Sequence, residues 1–147
     1  MRSENITPFI KLLDKYNECF LNRDETSLRN MYSENGDIIF FDNHSDCDST
    51  TMEDHISKVV SFFGSGNMSE AQYKKPVVYE TSDSACVITY YQYDGQDAFS
   101  VRATFYFEKE NDEWKIRHIH CSEVPVKKAE DEVRIKFDSK TVPTGRE

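Results

Sequence analysis

The segment Trp114-Lys-Ile-Arg-His-Ile-His-Cys-Ser122 sets two imidazoles, His118 and His120, two residues apart. In an extended chain, side chains alternate between faces. His118 and His120 therefore share one face with Trp114 and Ile116, and Lys115, Arg117, Ile119 and Cys121 share the other. Two imidazoles on one face hold a transition metal when further donors join them. Asp42, His44, Asp46, Cys47 and Asp48 crowd such donors into seven positions. That run lacks the glycine and terminal glutamate of a calcium loop, and nothing in the spacing brings it to the paired histidines. A solvated loop is the expectation, with no metal and no cofactor. Cys121 has no neighbouring base to make a thiolate, and no Ser-His-Asp set or glycine-rich phosphate loop is present.

Both faces of the 114–122 segment carry apolar groups. One side therefore lines a core or pocket, and the other is covered, a second subunit being one cover. The 147 residues suit one domain, and a 13% aromatic content supplies a substantial core. A net charge of −9 argues against nucleic acid or an anionic membrane as the main partner. No apolar run is long enough to span a bilayer, and the Met1–Asn5 start lacks the apolar stretch of a signal peptide. Cysteines at 19, 47, 86 and 121 form no CxxC pair and read as reduced thiols of a cytoplasmic protein.

The elements that must position these residues fall in two halves. Thr7-Pro8 starts a helix carrying Phe9, Leu12, Leu13, Tyr16 and Phe20 at helical spacing. Asp24 caps a shorter helix with Leu28, Met31 and Tyr32, stopped by Asn35-Gly36. Asp37–Asp42 is a short apolar strand. Thr50 with Glu53 makes a capping box for a third helix bearing His55, Ile56, Val59, Val60 and Phe63. Tyr73–Thr81, Ala85–Tyr93, Ala98–Lys109 and Trp114–Val124 are rich in β-branched and aromatic residues, with a hairpin signal at Asp94-Gly95 and a polar turn at Glu110–Glu113. Helices followed by a sequential antiparallel meander make an α+β fold. Residues 1–124 form the domain, and the charged segment 125–147 is either a tail or adds an edge strand at Val133–Phe137.

This order, with Trp-Lys-Ile-x-His-Ile-His-x-Ser in its last strand, resembles the nuclear transport factor 2-like (SnoaL-like, cystatin-like) superfamily over most of residues 6–124. Within it, Asp83-Ser-Ala-Cys-Val and His-Ile-His-Cys-Ser are similar to the association (hub) domain of calcium/calmodulin-dependent protein kinase II. The resemblance implies a cone-shaped curved antiparallel sheet wrapped around N-terminal helices, with a pocket at its wide end. It also implies a stand-alone domain that pairs with itself as a homodimer or larger ring, and leaves a kinase open as a partner. On that likeness Arg117, Ile119 and Cys121 turn inward, while Trp114, Ile116, His118 and His120 form the interface; the alternative is that Trp114 and Ile116 fill the monomer core. His55 matches a pocket histidine of the hub domain, and Tyr91, Phe105 and Cys121 stand where that domain carries arginine. With Ile119 they make a small, mostly apolar pocket poorly suited to carboxylates.

The chain also resembles ketosteroid isomerases of the same superfamily. That likeness implies a cofactor-free isomerase, cyclase or hydrolase as the alternative function. Asp42 would be the general base, Tyr16 the oxyanion donor, and His55 a positioning group. Ala103 stands where the isomerases keep a second oxyanion donor.

Overall fold

A long amphipathic helix opens the fold. In a computed structural model that describes residues 1–36, 38–42, 48–65, 70–93 and 100–124, helix α1 spans Thr7–Leu21 with Pro8 in its first turn. Proline suits that turn because its missing N–H would have no helical acceptor there. The cap position falls on Ile6 rather than the expected Thr7 and carries no side-chain cap bond; Asn5 Oδ1 accepts from the Thr7 amide at 3.3 Å. Phe9 and Leu13 are buried, and Leu12, Tyr16 and Phe20 pack against the core beside them.

Helix α2 spans Glu25–Met31. The Asp24 carboxylate accepts from the Ser27 amide at 3.1 Å and from the Ser27 hydroxyl at 2.7 Å, a side-chain cap of the expected kind. The helix stops short of Asn35-Gly36 because Tyr32 turns extended and forms a parallel bridge with Ile116. Helix α3 spans Met52–Gly64. Its cap is Thr51, not Thr50: Thr51 has the extended backbone a cap requires and accepts from the Asp54 amide at 3.1 Å.

The six strands are β1 (Ile39–Phe41), β2 (Ala71–Tyr73), β3 (Val77–Glu80), β4 (Ser84–Tyr93), β5 (Val101–Glu110) and β6 (Glu113–Glu123). They form one curved sheet in the order β1-β6-β5-β4-β2, with β3 also on β4. The expected single strand Tyr73–Thr81 is broken in two at Pro76, which cannot donate to a ladder. Thr89 secures the break by donating to the Lys74 carbonyl at 2.6 Å. The meander is antiparallel as expected, but β1 joins it parallel to β6. Asn111 and Asp112, with φ of 53° and 65°, make the tight β5–β6 turn. The fold class is α+β, as the sequence implied.

One irregularity governs the last strand. The β5–β6 register shifts between Tyr106 and Phe107: Tyr106 faces His118, but Phe107 faces Ile116, so Arg117 is the extra residue of a bulge. Alternation therefore changes phase at Arg117. Ile116 and Ile119 are both 0% exposed, and Trp114 packs its ring against Phe9 at 5.4 Å. This corrects the expectation that Trp114 and Ile116 share an outer interface with His118 and His120; they belong to the monomer core. Arg117 does not turn inward either. It donates to the Ser33 hydroxyl at 3.2 Å and pairs with Glu108 at 3.6 Å.

The core lies between the helices and the inner sheet face. Ala85, Val87 and Tyr91 of β4, Val101, Ala103, Phe105 and Phe107 of β5, and Ile116 and Ile119 of β6 are all buried there. Among the described residues no helix is long and apolar enough to cross a membrane. The Asp94-Gly95 turn, the Val133–Phe137 segment and the rest of 125–147 lie outside the described residues, as do His44, Asp46 and Cys47.

Candidate functional site

Five protonatable side chains meet where α1, α2 and the inner sheet face converge: Tyr16, Tyr32, Tyr91, Tyr93 and Cys121. Each of the first four is held above the ordinary phenol range by burial first, and Tyr16, Tyr91 and Tyr93 then by the electrostatics of others in the group. Tyr93 is pushed up to about 12 although 38% of the residue is exposed, so its hydroxyl end is the desolvated part. The Cys121 thiol is pushed up to about 12 by burial, with the Asp42 carboxylate adding to it. The group is uncharged at neutral pH, and Cys121 is a thiol rather than a nucleophilic thiolate.

Helix α3 delivers His55 to the same interior. Its Nε2 lies 2.6 Å from the Tyr32 hydroxyl, and its ring stacks on Phe40 of β1 at 4.5 Å. Burial first, then the positive Lys58, lowers its pKa to about 4. The imidazole is therefore neutral, with Nε2 engaged by Tyr32. Tyr16 reaches the other side of Tyr32, and its hydrogen bond is the one contact that eases the Tyr32 hydroxyl back down. The order His55, Tyr32, Tyr16 thus makes a buried polar string.

The sequence-predicted residues divide accordingly. Asp42 bears electrostatically on Tyr93 and Cys121, and Cys121 bears in turn on Tyr16. Phe105 and Ile119, at 1% and 0% exposed, are packed core. Phe105 meets Tyr16 edge-on at 5.2 Å. Tyr91 is 4% exposed, with its hydroxyl buried. Asn17 is the one neighbour that eases it back down, through a side-chain hydrogen bond. Ala103 is buried opposite Cys121 and Thr89, so its position supplies a methyl and no donor. Sequence reasoning missed Tyr32, Tyr93 and Asn17 as members of this site. Tyr32 read as a helix core position, and only its bridge to Ile116 turns it inward.

Two clefts formed by described residues lie elsewhere. One of about 410 Å³ sits at the β5–β6 turn beside Glu34 and Glu110. The other, of about 420 Å³, sits between the N-terminal segment and Lys75–Val78. Neither contains a predicted pocket residue. Among the described residues, no three His, Cys, Asp or Glu side chains gather as a metal site.

The reverse side of the sheet has its own pattern. Cross-strand register aligns Tyr79, Cys86, Tyr106, His118 and Ile39 in one row, and Val77, Ile88, Thr104, His120 and Phe41 in the next. Neither row contains Asp, Glu, Lys or Arg. Tyr79, Ile39, Phe41 and Ile88 are 47%, 44%, 39% and 38% exposed. His118 is fixed by a 2.7 Å contact from Nδ1 to the Ile39 carbonyl, and the Phe41 ring meets His118 and His120 edge-on at 5.5 and 5.6 Å.

A family model described as a SnoaL-like domain matches residues 10–127. No curated protein matches the chain. Among solved structures, the chain is similar to a protein from Thiobacillus denitrificans named as a candidate calcium/calmodulin-dependent protein kinase type II association domain. Identity is 16%, coverage 76% of this chain and 91% of the other, and the TM-score 0.66. It is similar to a candidate dehydratase of the NTF2-like family from Streptomyces avermitilis at 14% identity, covering 83% and 98%, with a TM-score of 0.70. A cystatin-like fold protein of unknown function from Nostoc punctiforme aligns at 9% identity over 81% and 90%, with a TM-score of 0.68. At these identities the likeness is one of fold.

Proposed function

The chain belongs to the SnoaL-like domain family, and on that premise we propose that it is an association domain, pairing with a second copy through the outer sheet face and holding a small, mostly apolar ligand inside the cone. The observation that carries the pairing is the two charge-free rows across five strands. Among the described residues the helices cover the inner face and leave Ile39, Phe41, Tyr79 and Ile88 exposed, and a contiguous apolar patch of this kind is the mark of an interface. The second copy is the fitting occupant because the rows carry no charge to select a charged partner, and a two-fold contact needs only a surface that complements itself. The name of the Thiobacillus denitrificans neighbour agrees with an assembly role. The interface residues of this reading are Ile39, Phe41, Ile88, His118 and His120; Trp114 and Ile116 are not among them.

Light scattering tests it. The wild-type chain is expected at twice the mass of one chain or a larger multiple, and Ile88→Glu is expected to lower that mass toward a single copy. A wild-type monomer refutes the pairing.

A second reading is favoured by the electrostatic links of both Asp42 and Tyr16 to Cys121. In it, Asp42 removes a proton alpha to a carbonyl and Tyr16 stabilises the resulting oxyanion, with His55 acting through Tyr32 as a positioning group. Two features weaken it. Ala103 supplies no second donor, and Tyr16 already bonds toward Tyr32. Its test is deuterium uptake at the alpha carbons of cyclohexanone in heavy water. Uptake that Asp42→Asn abolishes supports catalysis; uptake no faster than solvent excludes it for this substrate class.

A further inference from the structure

We propose that His118 and His120 hold a zinc ion that two copies share, each copy giving both imidazoles. The inference rests on the pairing part of the reading above and adds to it a metal that clamps the pair. One contact prepares the site. Nδ1 of His118 lies 2.7 Å from the Ile39 carbonyl oxygen. That oxygen can only accept, so Nδ1 carries the proton and the neutral ring keeps its lone pair on Nε2. Metal-binding histidines are held in this way, one ring nitrogen donating to a carbonyl so that the other faces the metal.

His120 stands two residues on, in the adjacent outer row. It is exposed, and among the described residues no hydrogen bond holds its ring. A zinc ion about 2.0–2.1 Å from one nitrogen of each ring sits roughly 3 Å from each ring centre. The two ring centroids are 6.4 Å apart, so a small turn of His120 closes the pair on one ion. Phe41 meets both rings edge-on and gives the site an apolar wall. Neither outer row carries Lys or Arg to repel a dication, and the chain's net charge of −9 draws cations toward it.

One copy leaves the ion two donors short. A closed zinc site takes four ligands, and among the described residues no third His, Cys, Asp or Glu joins the pair. A two-fold axis beside β6 supplies the missing two, because the same imidazoles of the second copy then stand opposite. Four neutral imidazoles suit zinc, whereas calcium takes oxygen ligands.

The test uses the full chain without an affinity tag, stripped of metal with a chelator and titrated with zinc chloride at pH 7 by calorimetry, with light scattering on the same samples. Saturable binding at one zinc per two chains is expected, and none with calcium chloride. His118→Gln and His120→Gln are each expected to weaken zinc at least tenfold and, metal-free, to melt within a few degrees of wild type. Ile88→Glu keeps both histidines but is expected to weaken zinc as far, because half the ligands leave with the second copy. No saturable zinc binding, binding unchanged in both histidine variants, or one zinc per chain held as tightly by Ile88→Glu as by wild type overturns the proposal. A metal-free multimer that takes no zinc refutes the site and leaves the pairing standing. A chain that stays single with and without zinc refutes the pairing, and the shared site with it.

Discussion

The Tyr32 hydroxyl lies 2.6 Å from Nε2 of His55, with the two rings edge to face at 5.1 Å. Tyr32 is bridged to Ile116 in β6, and His55 stacks on Phe40 in β1. One buried hydrogen bond therefore fastens α3 to the residue that carries α2 into the sheet. Tyr32→Phe leaves a buried imidazole nitrogen unpaired, which costs about 1–3 kcal/mol. Denaturant unfolding is expected to show a loss of that size, with the fold kept.

His55 also gives stability a pH dependence with a definite sign. Its pKa is near 6.5 in the unfolded chain and about 4 in the folded one. Between those values the unfolded chain holds more protons, so stability falls as pH drops from about 6.5 to 4 and levels off for this group below that. The loss across the window is about 3 kcal/mol. Urea unfolding at pH 7 and pH 4.5 is expected to show a steep drop in the wild-type chain and a shallower one in His55→Gln. An equal drop in both would remove His55 as the cause.

The third helix offers a paired test of local structure. Thr51 accepts from the Asp54 amide, whereas Thr50 sits on an exposed bend just before the cap. Thr51→Ala is expected to cost about 1 kcal/mol, and Thr50→Ala less than about 0.5 kcal/mol. Thermal melts of the two variants side by side check the assignment.

The bulge at Arg117 separates core from surface along one strand. Trp114 packs on Phe9 and lies under Lys109, so Trp114→Ala is expected to cost about 3 kcal/mol. The solution mass of its folded form should not change. Ile88→Glu is expected to do the reverse, lowering mass while leaving the stability of one copy within about 1 kcal/mol. Light scattering and denaturant unfolding on both variants distinguish the roles.

These two residues also show what the sequence made legible. Hydrophobic period marked α1, α2, β4 and β5 closely, because each buries one continuous face and nothing interrupts its phase. The phase of β6 was not legible, because a bulge depends on pairing with β5 and leaves no residue signature of its own. Strict alternation placed Trp114, Ile116 and the histidines together; one extra residue sends the first pair inward and the second pair outward. The same kind of long-range dependence hid Tyr32, which reads as helical by spacing but follows its bridge to Ile116. Asp42, Tyr16, Tyr91 and Cys121 were named through likeness to a family, since nothing local announces a shared site. The one-residue shift of the α3 cap from Thr50 to Thr51 is the ordinary ambiguity of two adjacent hydroxyls.

Mass counts copies but does not say which face they share, so the most direct test is the alkylation rate of Cys86. Its side chain stands in the outer row between Tyr79 and Tyr106, while Cys121 lies inside the cone. With iodoacetamide and peptide mass spectrometry, Cys86 of the wild-type chain is expected to react several-fold more slowly than Cys86 of Ile88→Glu, with Cys121 unchanged between the two. Equal Cys86 rates in both proteins would contradict pairing through the outer sheet face.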